Sequence, residues 1–563
     1  MTAVVLALGC MVAGSSGPLF ASDDELTAAL AGVSAADMLA DIETLASDDF
    51  EGRAPGTRGG EMTVGFLTER FRRLGLKPGN PDGSFVQKVS MIGYTAQPTA
   101  RFSVAGQTIE LKFPDDFVAP ARQRERDVSI ENSELVFVGY GVVAPEYGWD
   151  DFKGADLQGK TLVMLINDPQ IRDPVNPLRL DMRMFAGPEM TYYGRWTYKY
   201  EMAARMGAAA AIIVHDDRSA PAPYPAIVNS WARENFSLAT PSADADYPKF
   251  PAWIREERIR QIATAAGYDF DALKASALRR DFRPIALGVR GSFGLKNTWR
   301  EIVSENVIAR LEGSDAGARD EYVLYCAHWD HFGWDRNLPG TKSDQIYHGA
   351  VDNGSGVAAL LALARAFRAM PRAPKRSILF LATTGEEQGL LGSRFYASNP
   401  LYPLNRTLAA INIDVLAPWG RTRDVSVIGL GKTTLDLDVR EAAARQDRIV
   451  SGDPSPQSGL FFRSDQFEFA RQGVPAIWLQ SGNQFVGKAE AYGRGQASDY
   501  AEERYHRVKD TVAPEWDLAG NVENVQLMLR LGNRLADAQT YPAWLPGSEF
   551  AGARQANSAQ PNK

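Results

Sequence analysis

Cysteine is almost missing from this chain, which holds only Cys10 and Cys326 among 563 residues. Cys10 lies in an N-terminal apolar segment that reads as removable, so Cys326 is left without a partner and no intrachain disulfide is available. Noncovalent contacts must then hold the fold together. Blocks of basic residues are also missing, and the formal net charge is −8. That balance argues against a nucleic-acid partner and favours solubility. The N-terminal apolar run, Thr2 to Gly14, is shorter than the roughly 20 residues of a membrane span. Histidine is scarce as well: of five, four fall between residues 328 and 506, so any imidazole chemistry belongs to that stretch.

The apolar run is followed by Leu19-Phe20-Ala21 and then the acidic Ser22-Asp23-Asp24-Glu25. This order predicts a signal peptide over 1–21, cleaved after Ala21, and a secreted or periplasmic protein. An alternative is lipid attachment at Cys10, where Leu8-Gly9-Cys10 partly resembles a lipoprotein cleavage box. Length and composition predict more than one structural unit. Residues 22–115 form one part of the main domain, helical at first, with apolar side chains at helical spacing from Leu26 to Leu76. Residues 116–291 read as an inserted, smaller β-rich α/β domain, and 292–541 as the main part, where strands alternate with helices. The polar tail 542–563 is expected to be flexible. The fold class expected is α/β, a mainly parallel (mixed) sheet sandwiched by helices, with the inserted unit beside it.

Three apolar strands each run into acid or imidazole. Glu321 to Ala327 leads into His328-Trp329-Asp330-His331, Ser377 to Ala382 into Thr383-Thr384-Gly385-Glu386-Glu387, and Leu408 to Ile413 into Asp414. Residues at strand ends of an open sheet face the ligand crevice. Asp352 sits in Gly349-Ala350-Val351-Asp352-Asn353-Gly354-Ser355-Gly356, a turn that opens a long helix. With His506 these make five residues, His328, Asp352, Glu387, Asp414 and His506, that suit a pair of zinc ions. Zinc takes imidazole nitrogen and carboxylate oxygen, and one bridging carboxylate would give each ion three protein contacts. Glu386 stands where a general base is wanted, to take a proton from water and pass it to a leaving amine. The pattern points to metal-assisted hydrolysis of an amide. Manganese or cobalt would suit the same ligands.

These segments resemble the co-catalytic di-zinc aminopeptidases, a family that includes the glutamate carboxypeptidases. The resemblance runs through Ala327-His328-Trp329-Asp330, Val351 to Gly356, Gly385 to Ser393, Asn412-Ile413-Asp414, Arg463-Ser464-Asp465 and Tyr505-His506. It implies a zinc-exopeptidase fold acting on a peptide substrate. His328 and Asp414 would serve one zinc, Glu387 and His506 the other, with Asp352 as the bridge and a cis bond between Asp352 and Asn353. It also implies Glu386 as base, Asp330 as the carboxylate that orients His328, and Tyr505 as the hydroxyl that stabilises the tetrahedral oxyanion. Gln466 departs from the pattern, since many relatives carry His or Tyr there. The inserted region runs strand, Gly-Lys strand, then Ala-rich helix and strand (Glu134–Gly141, Leu157–Ile166, Tyr198–Val214), and resembles the protease-associated domain found in some relatives.

An aminopeptidase releasing N-terminal residues is the first expectation. A glutamate carboxypeptidase-like enzyme is the alternative and would need arginines for a substrate carboxylate, with Arg463 and Arg504 as candidates. A non-catalytic binding module on the same fold is opposed by the complete ligand set and Glu386, and a single-zinc glutaminyl cyclase by the retained bridging set. His331 and His348 read as loop residues or as supports behind the ligands, His215 as structural, and Asp465 and Asp510 as hydrogen-bonding supports, helix caps or surface residues. Residues 170–200 and 218–255, rich in Pro, Tyr and Trp, are expected as loops near the mouth of the site.

Overall fold

The computed structural model describes residues 23–558 apart from 221 and 241–246. The expected signal segment, Cys10 and the end of the tail lie outside the described residues. Helices α1 (Ala35–Leu45) and α2 (Arg58–Arg73) form where the spacing of apolar side chains predicts them, burying Met38, Ile42 and Leu45 on one and Leu67 and Phe71 on the other. Ser34 and Thr57 cap them, each side-chain oxygen accepting the N–H three residues on.

The loop between α1 and α2 carries Arg53, a fully buried guanidinium. Its Nε donates to the Trp329 carbonyl at 2.9 Å, and its two terminal nitrogens to those of Leu45, His348 and Gly349 at 2.6–2.8 Å. One side chain thus ties the end of α1 to the segments just ahead of His331 and Asp352. Arg53→Met keeps the apolar stem but strands four carbonyls. It is expected to lower stability by about 3–5 kcal/mol, read from urea unfolding. A loss below about 1 kcal/mol would show that the loops find other partners.

Strand β1 (Val86–Val104) leads out of this region toward the insert, where β2 (Asp127–Phe137), β3 (Thr161–Leu165), β4 (Ala210–His215) and β5 (Phe250–Arg255) lie parallel to one another. Helix α3 (Trp196–Arg205) connects β3 to β4, and α4 (Tyr224–Trp231) lies between β4 and β5. The return strand β6 (Ile285–Leu311) is antiparallel to β1 for most of its length. Its first half pairs with β2 of the insert, and its end, Val307–Leu311, pairs with the main sheet. Residue 291, the expected boundary, falls inside β6, so the two units share one strand.

The main sheet is built from β7 (Tyr322–His328), followed by helix α5 (Gly356–Ala369), β8 (Ser377–Thr383), β9 (Thr407–Asn412), β10 (Asp424–Ile428) and β11 (Ala476–Ser481). Strand β7 lies between β8 and β9, parallel to both, and β9 is parallel to β11. Strands β6 and β10 run antiparallel to their neighbours β8 and β11, so the sheet is mainly parallel and mixed, as expected. Strands β7, β8 and β9 are buried along their whole length, which explains their continuous apolar runs. Helices α1, α2, α5 and α7 (Ala519–Asp537) share the core on one face with Leu, Ile, Val and Phe side chains. Each fully buried aliphatic side chain there contributes roughly 1.5–3 kcal/mol. At the start of α5, a Cβ on Gly356 would stand 2.5 Å from the Ile413 carbonyl. Only glycine lets the helix pass this close to the strand that delivers Asp414.

The expected flexible tail, 542–563, is corrected in its described part. Trp544 and Phe550 are buried in the opposite-face core with Phe461 and Phe467, and the Trp544 indole N–H donates to the Gly473 carbonyl at 2.9 Å. Two large aromatic rings in a polar segment have enough apolar area to dock it.

Candidate active site

Strands β7 and β8 put His328 beside Thr383, and β7 and β9 put Cys326 beside Asn412. His328, the turn with Glu386 and Glu387, and Asp414 therefore leave the sheet side by side. Asp352 joins them from the turn ahead of α5, and His506 from the loop after helix α6 (Ala491–Glu503).

His328 Nε2 lies 3.2 Å from Asp414 Oδ1, 3.3 Å from Asp352 Oδ1 and 4.0 Å from Glu386 Oε2. His506 Nε2 lies 3.1 Å from Glu387 Oε2 and 3.4 Å from Asp352 Oδ2. Each oxygen of Asp352 thus faces a different imidazole, the placement a shared carboxylate needs. Two groups of candidate ligand atoms lie within 4.8 Å of one another, His328 with Asp352 and Glu387, and His328 with Glu386 and Asp414. The Asp352–Asn353 bond is cis.

Four carboxylates and two imidazoles share this site, and His506, at 12 %, has the most exposed side chain of the six. Burial opposes charge on His506, yet Glu387 and Asp352 raise it to about 9. The same contest leaves His328 well above the ordinary imidazole range, through Asp414 and Glu386. Against burial and neighbouring Asp352, the imidazoles of His506 and His331 hold Glu387 down to about 2. Burial pushes Glu386 well above the usual carboxylate range, as a proton acceptor requires. A dry cluster with more carboxylates than imidazoles calls for cations. The mixed nitrogen and oxygen donor set fits zinc.

The surrounding hydrogen bonds explain how these side chains are aimed. Asp414 accepts from Ser464 Oγ at 2.7 Å and, through its carbonyl, from the Trp478 indole at 2.9 Å. Asp510 accepts from the backbone N–H groups of Val351 and Asp352, each at 3.0 Å. Asp465 accepts from Thr383 Oγ1. Asp330 differs from its expected role, because His328 Nδ1 donates to the Asp330 main-chain carbonyl at 3.2 Å while the carboxylate stands 3.9 Å away. That carboxylate instead accepts the Glu386 backbone N–H at 3.0 Å, steadying the turn of the candidate base. His331 Nδ1 donates to Glu387 Oε1 at 2.5 Å, whereas His348 pairs with Asp48 and His215 contacts the Ala222 carbonyl. Gln466 lies fully buried, bonded to Asn412 and the Phe461 carbonyl, so the departure from the family pattern falls in the scaffold.

The site opens into a cavity of about 370 Å³. Both segments expected as loops near the mouth reach it, but through regular elements: α3 supplies Trp196, α4 Ile227 and Trp231, and β5 Trp253, with Leu460 and Tyr500 also lining it. Tyr505 lines the cavity with its ring stacked on His506, centroids 3.7 Å apart, and its hydroxyl accepts from Arg463 at 2.9 Å. Burial pushes its phenol well above the ordinary range, against the pull of Arg463, so the group stays a donor. Arg463 lines the cavity; Arg504 points elsewhere, toward Asp499.

Three contributors belong to no motif in the sequence. Arg195, at the start of α3, lines the cavity, and its Nε has no hydrogen-bond partner among the described residues. Burial and neighbouring Arg463 lower it to about 9. Asn229 and Ser230, on α4, both touch His506. Nothing but the Tyr- and Trp-rich context of these segments hinted at their position.

Residues 306–530 match the family described as Peptidase family M28. Among curated proteins, the chain is 35% identical over 117 residues to "Aminopeptidase NAALADL1" of Mus musculus, a stretch covering 20% of this chain and 14% of that protein. It is 39% identical over 110 residues to a "Probable zinc metalloprotease" of Pyrenophora teres f. teres, covering 20% and 22%. The matched stretch thus spans under a quarter of either relative. Among solved structures, "Aminopeptidase from Aneurinibacillus sp. strain AM-1" shares the fold, with a TM-score of 0.53 at 19% identity over 92% of this chain and 96% of that one.

Proposed function

Because the chain carries a Peptidase family M28 domain over residues 306–530, we propose that it is a di-zinc exopeptidase, and specifically an aminopeptidase that releases N-terminal residues from peptides. The observation that carries this reading is Asp352, whose two oxygens face His328 and His506 separately. His328 and Asp414 would hold one ion, Glu387 and His506 the other, and Asp352 both. When bound, such ions polarise the scissile carbonyl and make water more acidic. Glu386 takes the proton from the attacking water and delivers it to the leaving amine. The Tyr505 hydroxyl, held by Arg463, donates to the oxygen on which negative charge develops. The apolar walls exclude bulk water and take the substrate's side chains. Every carboxylate among the described residues lining the cavity belongs to the Asp352, Glu386, Glu387 and Asp414 set, so a substrate amine would be received there.

A second reading rests on a separate observation. Arg195 and Arg463 both line the cavity, and paired guanidinium groups recognise carboxylate. That favours a glutamate carboxypeptidase-like enzyme that reads the substrate's carboxyl end, with Arg195 in place of Arg504. We also propose export with cleavage after Ala21, and a protease-associated-like insert over 116–291 that shapes the cavity.

The test uses the mature protein, whose N-terminus is expected at Ser22, with aminoacyl-anilides, their N-acetylated forms, and peptides with free or amidated C-termini. Two zincs per chain and cleavage lost on N-acetylation are expected. Cleavage indifferent to acetylation but lost on C-terminal amidation would replace the first reading by the second.

A further inference from the structure

His506 sits in a loop with positive φ, 57°, and two of its hydrogen bonds come from the inserted unit, 276 and 277 residues upstream. Asn229 Nδ2 donates to the His506 carbonyl at 3.0 Å, and Ser230 Oγ lies 3.1 Å from His506 Nδ1. The Ser230 hydroxyl proton is already committed, donated to the Ala226 carbonyl at 2.8 Å within α4. Its oxygen can therefore only accept, and the proton of the second bond must sit on Nδ1. With Nδ1–H held in this way, it is the Nε2 proton that a cation would displace to reach a lone pair, and Nε2 is the atom facing Glu387 and Asp352.

The residues that follow extend the hold. An Arg233 terminal nitrogen donates to the Phe332 carbonyl at 3.2 Å, and the guanidinium lies 5.1 Å over the Phe332 ring and 4.4 Å over that of Tyr347. The Phe332 ring in turn lies 4.7 Å from that of His506. The Phe236 backbone N–H donates to Gln388 Oε1 at 3.2 Å, next to Glu387. Residues 229–236 thus strap together the loops that carry His506, His331 and Glu387.

We infer that Ser230 and Asn229 are positioning residues, through which the inserted unit fixes the tautomer and place of His506 and so governs retention of the cation on the Glu387–His506 side. This rests on the two-ion reading, and it gives the insert a role in metal retention beyond shaping the cavity. The Asp414–His328 side is held by Ser464, Trp478 and the Asp330 carbonyl, all from the main domain, so the strap acts on one side only.

The experiment compares wild type, Ser230→Ala, Asn229→Ala and Ser230→Thr. Zinc per chain is measured after equilibration with graded chelator, and imidazole tautomers are read by 15N NMR of histidine-labelled protein. In Ser230→Ala one of two ions should leave at a chelator level about 10–100-fold lower, the other at the wild-type level, with loss of the His506 Nδ1–H signature. Asn229→Ala should shift the same ion, and Ser230→Thr, which keeps the hydroxyl, should restore wild-type retention. Release of both ions at the wild-type level, or equal weakening of both, would overturn the inference. A wild type that binds a single ion would sink the two-ion reading instead. The strap would then stand if Ser230→Ala weakens that ion and Ser230→Thr restores it, and fall otherwise.

Discussion

Glu386→Gln is expected to lower kcat by about 10²–10⁴-fold while zinc content stays at the wild-type level. The amide is nearly isosteric with the carboxylate, so packing in the buried turn is kept, and the Asp330 carboxylate still receives the residue's backbone N–H. What is lost is the ability to accept a proton. Glu386 is placed for that role, buried and close to the His328 and Asp414 cluster without completing the pairing around His506. Because the role proposed for Glu386 lies in the bond-making step, the loss should appear in kcat more than in KM. Turnover and zinc content measured on one preparation check it. Unchanged turnover would remove Glu386 from the mechanism, and a parallel loss of zinc would make it a ligand.

Much of this site was legible because its chemistry sits at strand ends. Strands buried on both faces read as uninterrupted apolar runs, so a polar residue that ends one, such as His328 or Asp414, stands out. Glu386 and Glu387 follow the same logic. The roles read least well are those whose partners are main-chain carbonyls, since every residue has one and none leaves a mark in the sequence. Asp330 orients His328 through its carbonyl, and Arg53 reaches four carbonyls from the loop between α1 and α2. Arg195, Asn229 and Ser230 were hidden for another reason. Each lies in residues 116–291, and the β1–β6 ribbon together with residues 235–238, which pair with β1, brings that unit to the candidate site. The unbroken β6 is hard to read as one strand because its first half packs Leu287, Val289, Phe293 and Leu295 into one core while its end packs Val307 and Ala309 into another.

Asp352→Asn should remove both ions at once. The carboxylate is shared, Oδ1 toward His328 and Oδ2 toward His506. An amide offers one oxygen, one N–H donor group and no charge, so neither side keeps its full donor set. The backbone should stay in place, since Asp510 accepts the N–H groups of Val351 and Asp352, which separates loss of ligation from loss of fold. A ligand held at 100 times its Kd stabilises the folded state by about 2.7 kcal/mol per site. Chelation of the wild type should therefore lower its stability by about that much per ion, whereas the variant, already without metal, should unfold at the same urea concentration with or without chelator. Turnover should fall by on the order of 10³–10⁴-fold or more, because polarisation of the carbonyl is worth several kcal/mol. Zinc content, chelator-dependent unfolding and turnover, measured together, check the prediction. Retention of one ion in Asp352→Asn would show that the carboxylate serves a single site, and retention of both would leave the bridging assignment without support.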